Sequence, residues 1–231
     1  FPASRHDTLN AVFLNTSGGV TGGDRFHVEA EAEAGAALML TSQAAERFYR
    51  AQPDETGAMD IALTVGAGAR LDWLPQETIL FDGARVRRSF RVDLAADARF
   101  LAVEPLVSGR LAMREFVHSG SQSDIWRVYR AGKLTFADNF RLTGDIDAQL
   151  AQPGVAAGNR AMAALLFAAP GAETLLPALR ELLGPLGGTS CVAKDLLFAR
   201  ILAEDGYELR RRLIPAITRL SGQDIPKTWT L

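Results

Sequence analysis

Val86-Arg-Arg-Ser-Phe-Arg-Val-Asp93 sets Val86, Arg88, Phe90 and Val92 on one side of an extended chain and Arg87, Ser89, Arg91 and Asp93 on the other. That is the period of two expected of a half-buried strand. Ile61, Leu63 and Val65 alternate in the same way against Asp60, Ala62 and Thr64, as do Ile125, Arg127 and Tyr129 against Trp126, Val128 and Arg130. Residues 11 to about 150 therefore read as a succession of short strands. Turn chemistry separates them at Gly35, Gly57, Gly66-Ala-Gly68, Asp82-Gly83, Gly132 and Gly144-Asp145. Strands at intervals of roughly 8 to 12 residues imply a sandwich, a barrel or a coiled stack of sheets. No repeat of fixed period is visible, so the pattern alone does not require a regular solenoid. Scattered arginine pairs such as Arg87-Arg88 read as solvated strand faces.

The last third changes character. Leu175, Leu176, Leu179, Leu182 and Leu183 recur at helical spacing, and Gly184-Pro185 supplies the stop, so a helix is predicted over residues 173–183. Leu196 to Leu202 reads as a buried strand or a short helix. Asp205 is placed to cap a second helix running to about Leu220 and ending at Gly222, with Pro215 expected to kink it or shift its start. The tail from Asp224 to Leu231 reads as extended.

The chain has 231 residues, 48% hydrophobic and 23% charged, enough for a substantial core, and its formal net charge of -2 offers no basic surplus for nucleic acid. No apolar run approaches the roughly 18 residues that a membrane span needs. The single cysteine, Cys191, excludes an internal disulfide and agrees with a reducing compartment, so a cytosolic protein is expected, with Cys191 buried and structural. The chain opens at Phe1 without a methionine or a signal-peptide pattern, which suggests a missing or trimmed start.

Ser17-Gly-Gly-Val-Thr-Gly-Gly-Asp24 describes a bend too tight for side chains. A phosphate loop needs Lys-Ser/Thr after its last glycine, whereas Asp24-Arg25-Phe26 follows here, and the spacing also departs from the dinucleotide fingerprint. His6, His27 and His118 stand far apart, with no metal-binding interval between them, and no Gly-x-Ser-x-Gly elbow exists. Acids set in apolar runs carry more chemistry, because a buried carboxylate is costly unless paired, hydrated or bound to a cation. Glu77 lies in Leu71-Asp-Trp-Leu-Pro-Gln-Glu-Thr-Ile-Leu-Phe81, Glu104 in Phe100-Leu-Ala-Val-Glu-Pro-Leu-Val107, and Asp24 closes the glycine bend. Each either caps a turn or pairs with an arginine such as Arg50 or Arg110, or else takes part in function. A β-scaffold hydrolase with Glu77 and Glu104 as paired carboxylates is one functional alternative.

Five segments in order resemble the urease accessory proteins of the UreD/UreH family. They are Gly18-Gly-Val-Thr-Gly-Gly-Asp24, Ala44-Ala-Glu-Arg-Phe-Tyr-Arg50, Trp73-Leu-Pro-Gln-Glu77 through Phe81-Asp-Gly-Ala84, Gly109-Arg-Leu-Ala-Met-Arg-Glu115, and Pro226-Lys-Thr-Trp229. The chain departs from the family pattern in carrying Arg114 where a glycine is usual, Lys227 where an arginine is usual, and in lacking the first few dozen residues.

The resemblance implies one mostly β domain over residues 1–231, a stacked, β-helix-like sheet arrangement with about two α-helices in the C-terminal third. It implies a non-enzymatic scaffold that binds apo-urease and UreF, with the GTPase UreG docking through UreF, and passes Ni²⁺ toward the urease active site. No tightly bound cofactor, nucleic acid or membrane is implied. A route for nickel should not grip the ion, so sparse carboxylates suit it better than thiolates or clustered imidazoles. On this reading Asp24, Glu77 and Glu104 are stations for nickel in transit, with Glu46 and Glu115 behind them. Gly19, Gly22, Gly23, Tyr49, Arg50, Gln76, Gly109, Arg110 and Glu115 form the partner-facing or structural motif.

Overall fold

A computed structural model describes residues 8–110 and 113–230. In chain order the strands are β1 (Leu9–Phe13), β2 (Arg25–Ala32), β3 (Ala37–Ser42), β4 (Glu46–Phe48), β5 (Gly57–Val65), β6 (Arg70–Trp73), β7 (Thr78–Leu80), β8 (Arg85–Leu94), β9 (Arg99–Ser108), β10 (Gly120–Arg130), β11 (Lys133–Gly144), β12 (Ala161–Ala168), β13 (Gly187–Ala193) and β14 (Leu196–Ala203). The helices are α1 (Ile146–Ala151), α2 (Leu176–Leu183) and α3 (Gly206–Ser221).

The chain shuttles between two sheets. One is five-stranded, in the order β11-β10-β8-β5-β2; the other is nine-stranded and follows β1-β3-β6-β9-β12-β14-β13, with β7 also on β9 and β4 on β7. From β2 to β10 and from β1 to β9 every pairing is parallel, so each coil lays one rung on each sheet. This is the stacked, solenoid-like arrangement expected above. Rungs at Leu9, Leu38, Leu71 and Phe100 stand in register, about 30 residues per coil but unevenly spaced. The unevenness is why no fixed period is visible in the sequence. From β9 onward, β12, β14 and β13 join antiparallel, as β11 does on β10.

Inward columns fill the space between the sheets: Val28, Ile61, Phe90 and Trp126 stack rung upon rung, and Ala30, Leu63, Val92 and Val128 form the next column. The far face of the nine-stranded sheet is covered by α2 and α3 through Leu101, Val103, Leu179, Leu213 and Ile217. With both faces covered, β9 reads as an almost continuous apolar run rather than an alternating one. Pro105, which has no N–H to give, sits where β9 changes its parallel partner from β6 to β7.

Asp205 caps α3 by accepting from the Glu208 N–H at 2.9 Å, and left-handed Gly222 ends it as predicted. Pro215 neither ends nor delays α3, which runs through it. Residues 196–203 are strand. The tail is not extended throughout: Lys227–Trp229 form a 3-10 turn that buries Trp229. Two other expectations fail for a common reason of sidedness. Cys191 is exposed because β13 is an edge strand. Arg87 faces solvent, but Arg88 points between the sheets and is 4% exposed.

Candidate functional site

On β9, Phe100 and Ala102 face the five-stranded sheet while Leu101 and Val103 face the helices. The same alternation sends Glu104 between the sheets. Across from it, Arg88 on β8 and Asp124 on β10 are register neighbours in the inward layer. The Arg88 guanidinium donates through one terminal nitrogen to Glu104 and through the other to Asp124, and the Trp73 indole N–H donates to Glu104 Oε1 at 2.6 Å. Glu104 and Asp124 are 4% and 5% exposed.

Burial pushes the Glu104 carboxyl up most strongly; Arg88 opposes this, the Asp124 charge adds to it, and the balance lies at about 7. The two carboxylates hold the Arg88 guanidinium in its charged form, above its ordinary value, against its own desolvation. Gln122 joins Arg88, Glu104 and Asp124 around a small cavity of about 20 Å³, and Asp138 stands at its wall, paired with Arg200. Gln122 Oε1, Asp124 Oδ1 and Arg88 Nε are buried there without a protein partner.

Glu77 takes a different place. It precedes β7 and meets Arg210 of α3 through both carboxylate oxygens, on the helix side of the nine-stranded sheet. Arg210 also donates to Gln76 Oε1 and, at 3.0 Å, to the Trp229 carbonyl, while Gln76 Nε2 donates to the Thr228 carbonyl at 2.7 Å. The Trp229 indole closes the group by donating to the Leu74 carbonyl at 3.0 Å. Trp73-Leu-Pro-Gln-Glu77 and Pro226-Lys-Thr-Trp229 are thus two halves of one clamp. Glu77 and Glu104 face opposite sides of the sheet, so they do not flank a common bond and the paired-carboxylate hydrolase is set aside.

Asp24 accepts from the Thr21 N–H at 2.9 Å and closes its own turn. Around that turn residues 48–50, 81–84 and 110 of three other resemblance segments meet. Val20 bridges to Phe48 and Arg50 to Ala84; Tyr49 stacks on Phe81 at 5.0 Å; the Arg110 guanidinium lies over the same Phe81 ring, 4.5 Å from its centroid, and Arg50 pairs with Asp82 at 2.5 Å. A Cβ on Gly19 would stand 2.4 Å from Tyr49 Cε2 and 2.6 Å from the Arg47 carbonyl, and one on Gly22 would stand 2.6 Å from Glu55 Cβ. Gly109 has φ of +67° and an equally tight neighbour, the Glu115 carbonyl at 2.5 Å from a would-be Cβ. Gly23 closes the bend with φ of +82°.

Glu115 pairs with Arg110 at 2.6 Å, and Glu46 accepts from Asn15 Nδ2 at 3.0 and 3.1 Å beside an open groove of about 220 Å³. Leu111 and Ala112 of the Gly109–Glu115 segment, and His6, lie outside the described residues. Arg114 adopts φ of +52°, the left-handed conformation that a glycine takes without strain. His27 and His118 are exposed, and among the described residues no three or more His, Cys, Asp or Glu side chains are grouped to hold a metal.

The family model described as UreD urease accessory protein matches residues 1–230. The chain belongs to the UreD family. It is 46% identical over 231 residues to the urease accessory protein UreD of Ruegeria pomeroyi, covering all of this chain and 90% of that protein. It is 45% identical to the UreD proteins of Roseobacter denitrificans and Chelativorans sp., over all of this chain and 84% and 83% of theirs.

The segments by which the chain resembles the UreD family resolve into the patch where exposed Tyr49 covers buried Phe81 and into the C-terminal clamp, while Glu104 alone of the three expected nickel stations enters the space between the sheets. Arg88, Asp124 and Arg210 were missed. The available signal for Arg88 was its place between Val86 and Phe90 on the apolar side of β8.

Proposed function

We propose that this UreD-family chain is a non-enzymatic scaffold of urease maturation, working in the cytosol. It binds apo-urease and UreF, receives UreG through UreF, and assists GTP-dependent delivery of Ni²⁺. The observation that carries the reading is the convergence of separate family segments on one surface, where exposed Tyr49 and Arg110 pack on the buried Phe81 ring beside the Gly19–Gly23 bend. Aromatic and guanidinium groups of this kind dominate interface energetics. The buried cluster of Val20, Phe48, Leu80, Ala84 and Val86 supplies a packed platform behind it.

For nickel in transit, Glu104 is the supported station, since it is set in the polar cluster between the sheets. Asp24 closes a turn and Glu77 pairs with Arg210 on the helix side; Glu104 is also paired, with Arg88, but it alone shares a cavity with the unpartnered oxygens of Gln122 and Asp124. Carboxylates serve such a role by exchanging oxygen ligands readily, and the chain itself keeps no cofactor.

The test is co-purification with recombinant apo-urease and UreF, followed by nickel-dependent urease activation. Tyr49→Ala/Arg110→Ala is expected to lose a partner while remaining folded, and Glu104→Gln to retain partners but slow activation. A folded chain that binds neither partner would overturn the scaffold reading; unchanged activation with Glu104→Gln would remove Glu104 from the route.

A further inference from the structure

We propose that Arg88 is a built-in counter-cation seated in an oxygen-donor site for a divalent metal ion, a site closed for as long as the guanidinium occupies it. Arg88 bridges Glu104 and Asp124, two carboxylates carried by strands of opposite sheets. Asp124 keeps a second oxygen, Oδ1, without a partner, and so does the amide oxygen of Gln122, which is 1% exposed. Both residues line the same cavity as Glu104. Two carboxylates and an amide carbonyl are the hard donor set that magnesium, calcium and manganese prefer and that nickel accepts weakly.

Charge points the same way. With Glu104 ionised, one guanidinium offsets one of two carboxylate charges, whereas a divalent ion offsets both, and an unpaired buried charge is costly. The two occupants exclude each other because the guanidinium takes up Glu104 Oε2 and Asp124 Oδ2 and repels a second cation beside it, while the remaining space of about 20 Å³, room for roughly one water, holds no hydrated ion. Asp138 does not contribute, because Arg200 holds it at the cavity wall. Arginine suits the closing role, being charged at every physiological pH and forked to meet two acids at once. The inference takes its biological meaning from the transit reading above, and its experiment involves no urease, so each can fail without the other.

The measurement is equilibrium dialysis and thermal melting of the full chain with MnCl₂ and, separately, NiCl₂. Arg88→Gln is expected to bind one ion per chain about tenfold or more tighter than the wild type and to melt at higher temperature with the ion. Arg88→Gln/Asp124→Asn, which removes one donor, is expected to return to wild-type binding. A folded Arg88→Gln chain that binds no tighter than the wild type overturns the proposal, as does equal binding by the double variant. Should Arg88→Gln be unfolded in metal-free buffer, recovery of a cooperative melt with either ion supports it, and failure to recover with both overturns it.

Discussion

The Trp73 indole donates to Glu104 across adjoining strands of the nine-stranded sheet, at 2.6 Å and out of reach of water. Its ring also stacks on Phe13 at 5.3 Å and leans on Phe90 at 6.0 Å. Trp73→Phe keeps an aromatic ring in these contacts and deletes the donor, leaving a buried carboxylate oxygen without its partner. A loss of about 1–3 kcal/mol in urea unfolding is expected. A midpoint equal to that of the wild type would show that the bond contributes nothing net.

Glu104 should also write a pH dependence into stability. Its folded value near 7 lies above its ordinary 4.5, so the folded chain binds the proton more tightly than the unfolded chain. The resulting stabilisation is fully present below about pH 4.5 and is lost as pH rises through about 7. Asp72, pushed up chiefly by burial against its bond from Arg70, acts in the same direction. Urea midpoints taken between about pH 5 and 8 should fall more gently for Glu104→Gln than for the wild type. Identical slopes would assign the dependence elsewhere.

The clamp on the C-terminal turn rests on Arg210. Its bond to Glu77 raises the guanidinium value further, and its fork reaches Glu77, Gln76 and the Trp229 carbonyl together. Arg210→Lys keeps the charge but not the fork, so it should rescue little of the defect of Arg210→Ala. Limited proteolysis should then cleave near residues 224–230 in both variants before the sheets are touched. Trp229→Ala, emptying a site that is 2% exposed, should cost about 3–5 kcal/mol.

Arg114 sits at φ of +52°, so Arg114→Gly relieves a strained backbone. A gain of about 1 kcal/mol is expected from thermal melting. A loss would mean that the arginine side chain holds that loop by contacts worth more than the strain.

Gly19→Ala is expected to act in the opposite sense. The new methyl meets a carbonyl as well as the Tyr49 ring, and a carbonyl does not swing aside. The ring is expected to leave Phe81, reducing partner capture in the co-purification test as far as Tyr49→Ala does. Full capture by Gly19→Ala would separate the bend from the docking patch.

Much of the fold was legible where packing has a short period. The columns through Ile61, Leu63, Phe90 and Val92 lie where alternation puts them, and Asp205 and Gly222 bound α3 by local chemistry alone. The site was legible only in its acids. Glu104 is 16 residues from Arg88, and Glu77 is 133 from Arg210. Pairings of that separation follow from how coils stack, and no local pattern encodes them. Charge was the misleading cue at Arg88, where sidedness on the strand outweighs polarity once two acids wait inside. Cys191 shows the converse: a residue type that is usually interior lies outside because its strand has a neighbour on one side only.

The parallel rungs have one further consequence. Among the described residues, β1 and β2 each hold a single neighbour at one end of the pile, whereas the opposite end is fastened by antiparallel β11, β12, β13 and β14. Where rungs touch mainly the rungs beside them, opening starts at whichever margin is least anchored. Amide exchange should therefore advance like a zipper from β2 through β5 toward β8, so that the polar cluster stays shut long after the first coil has frayed.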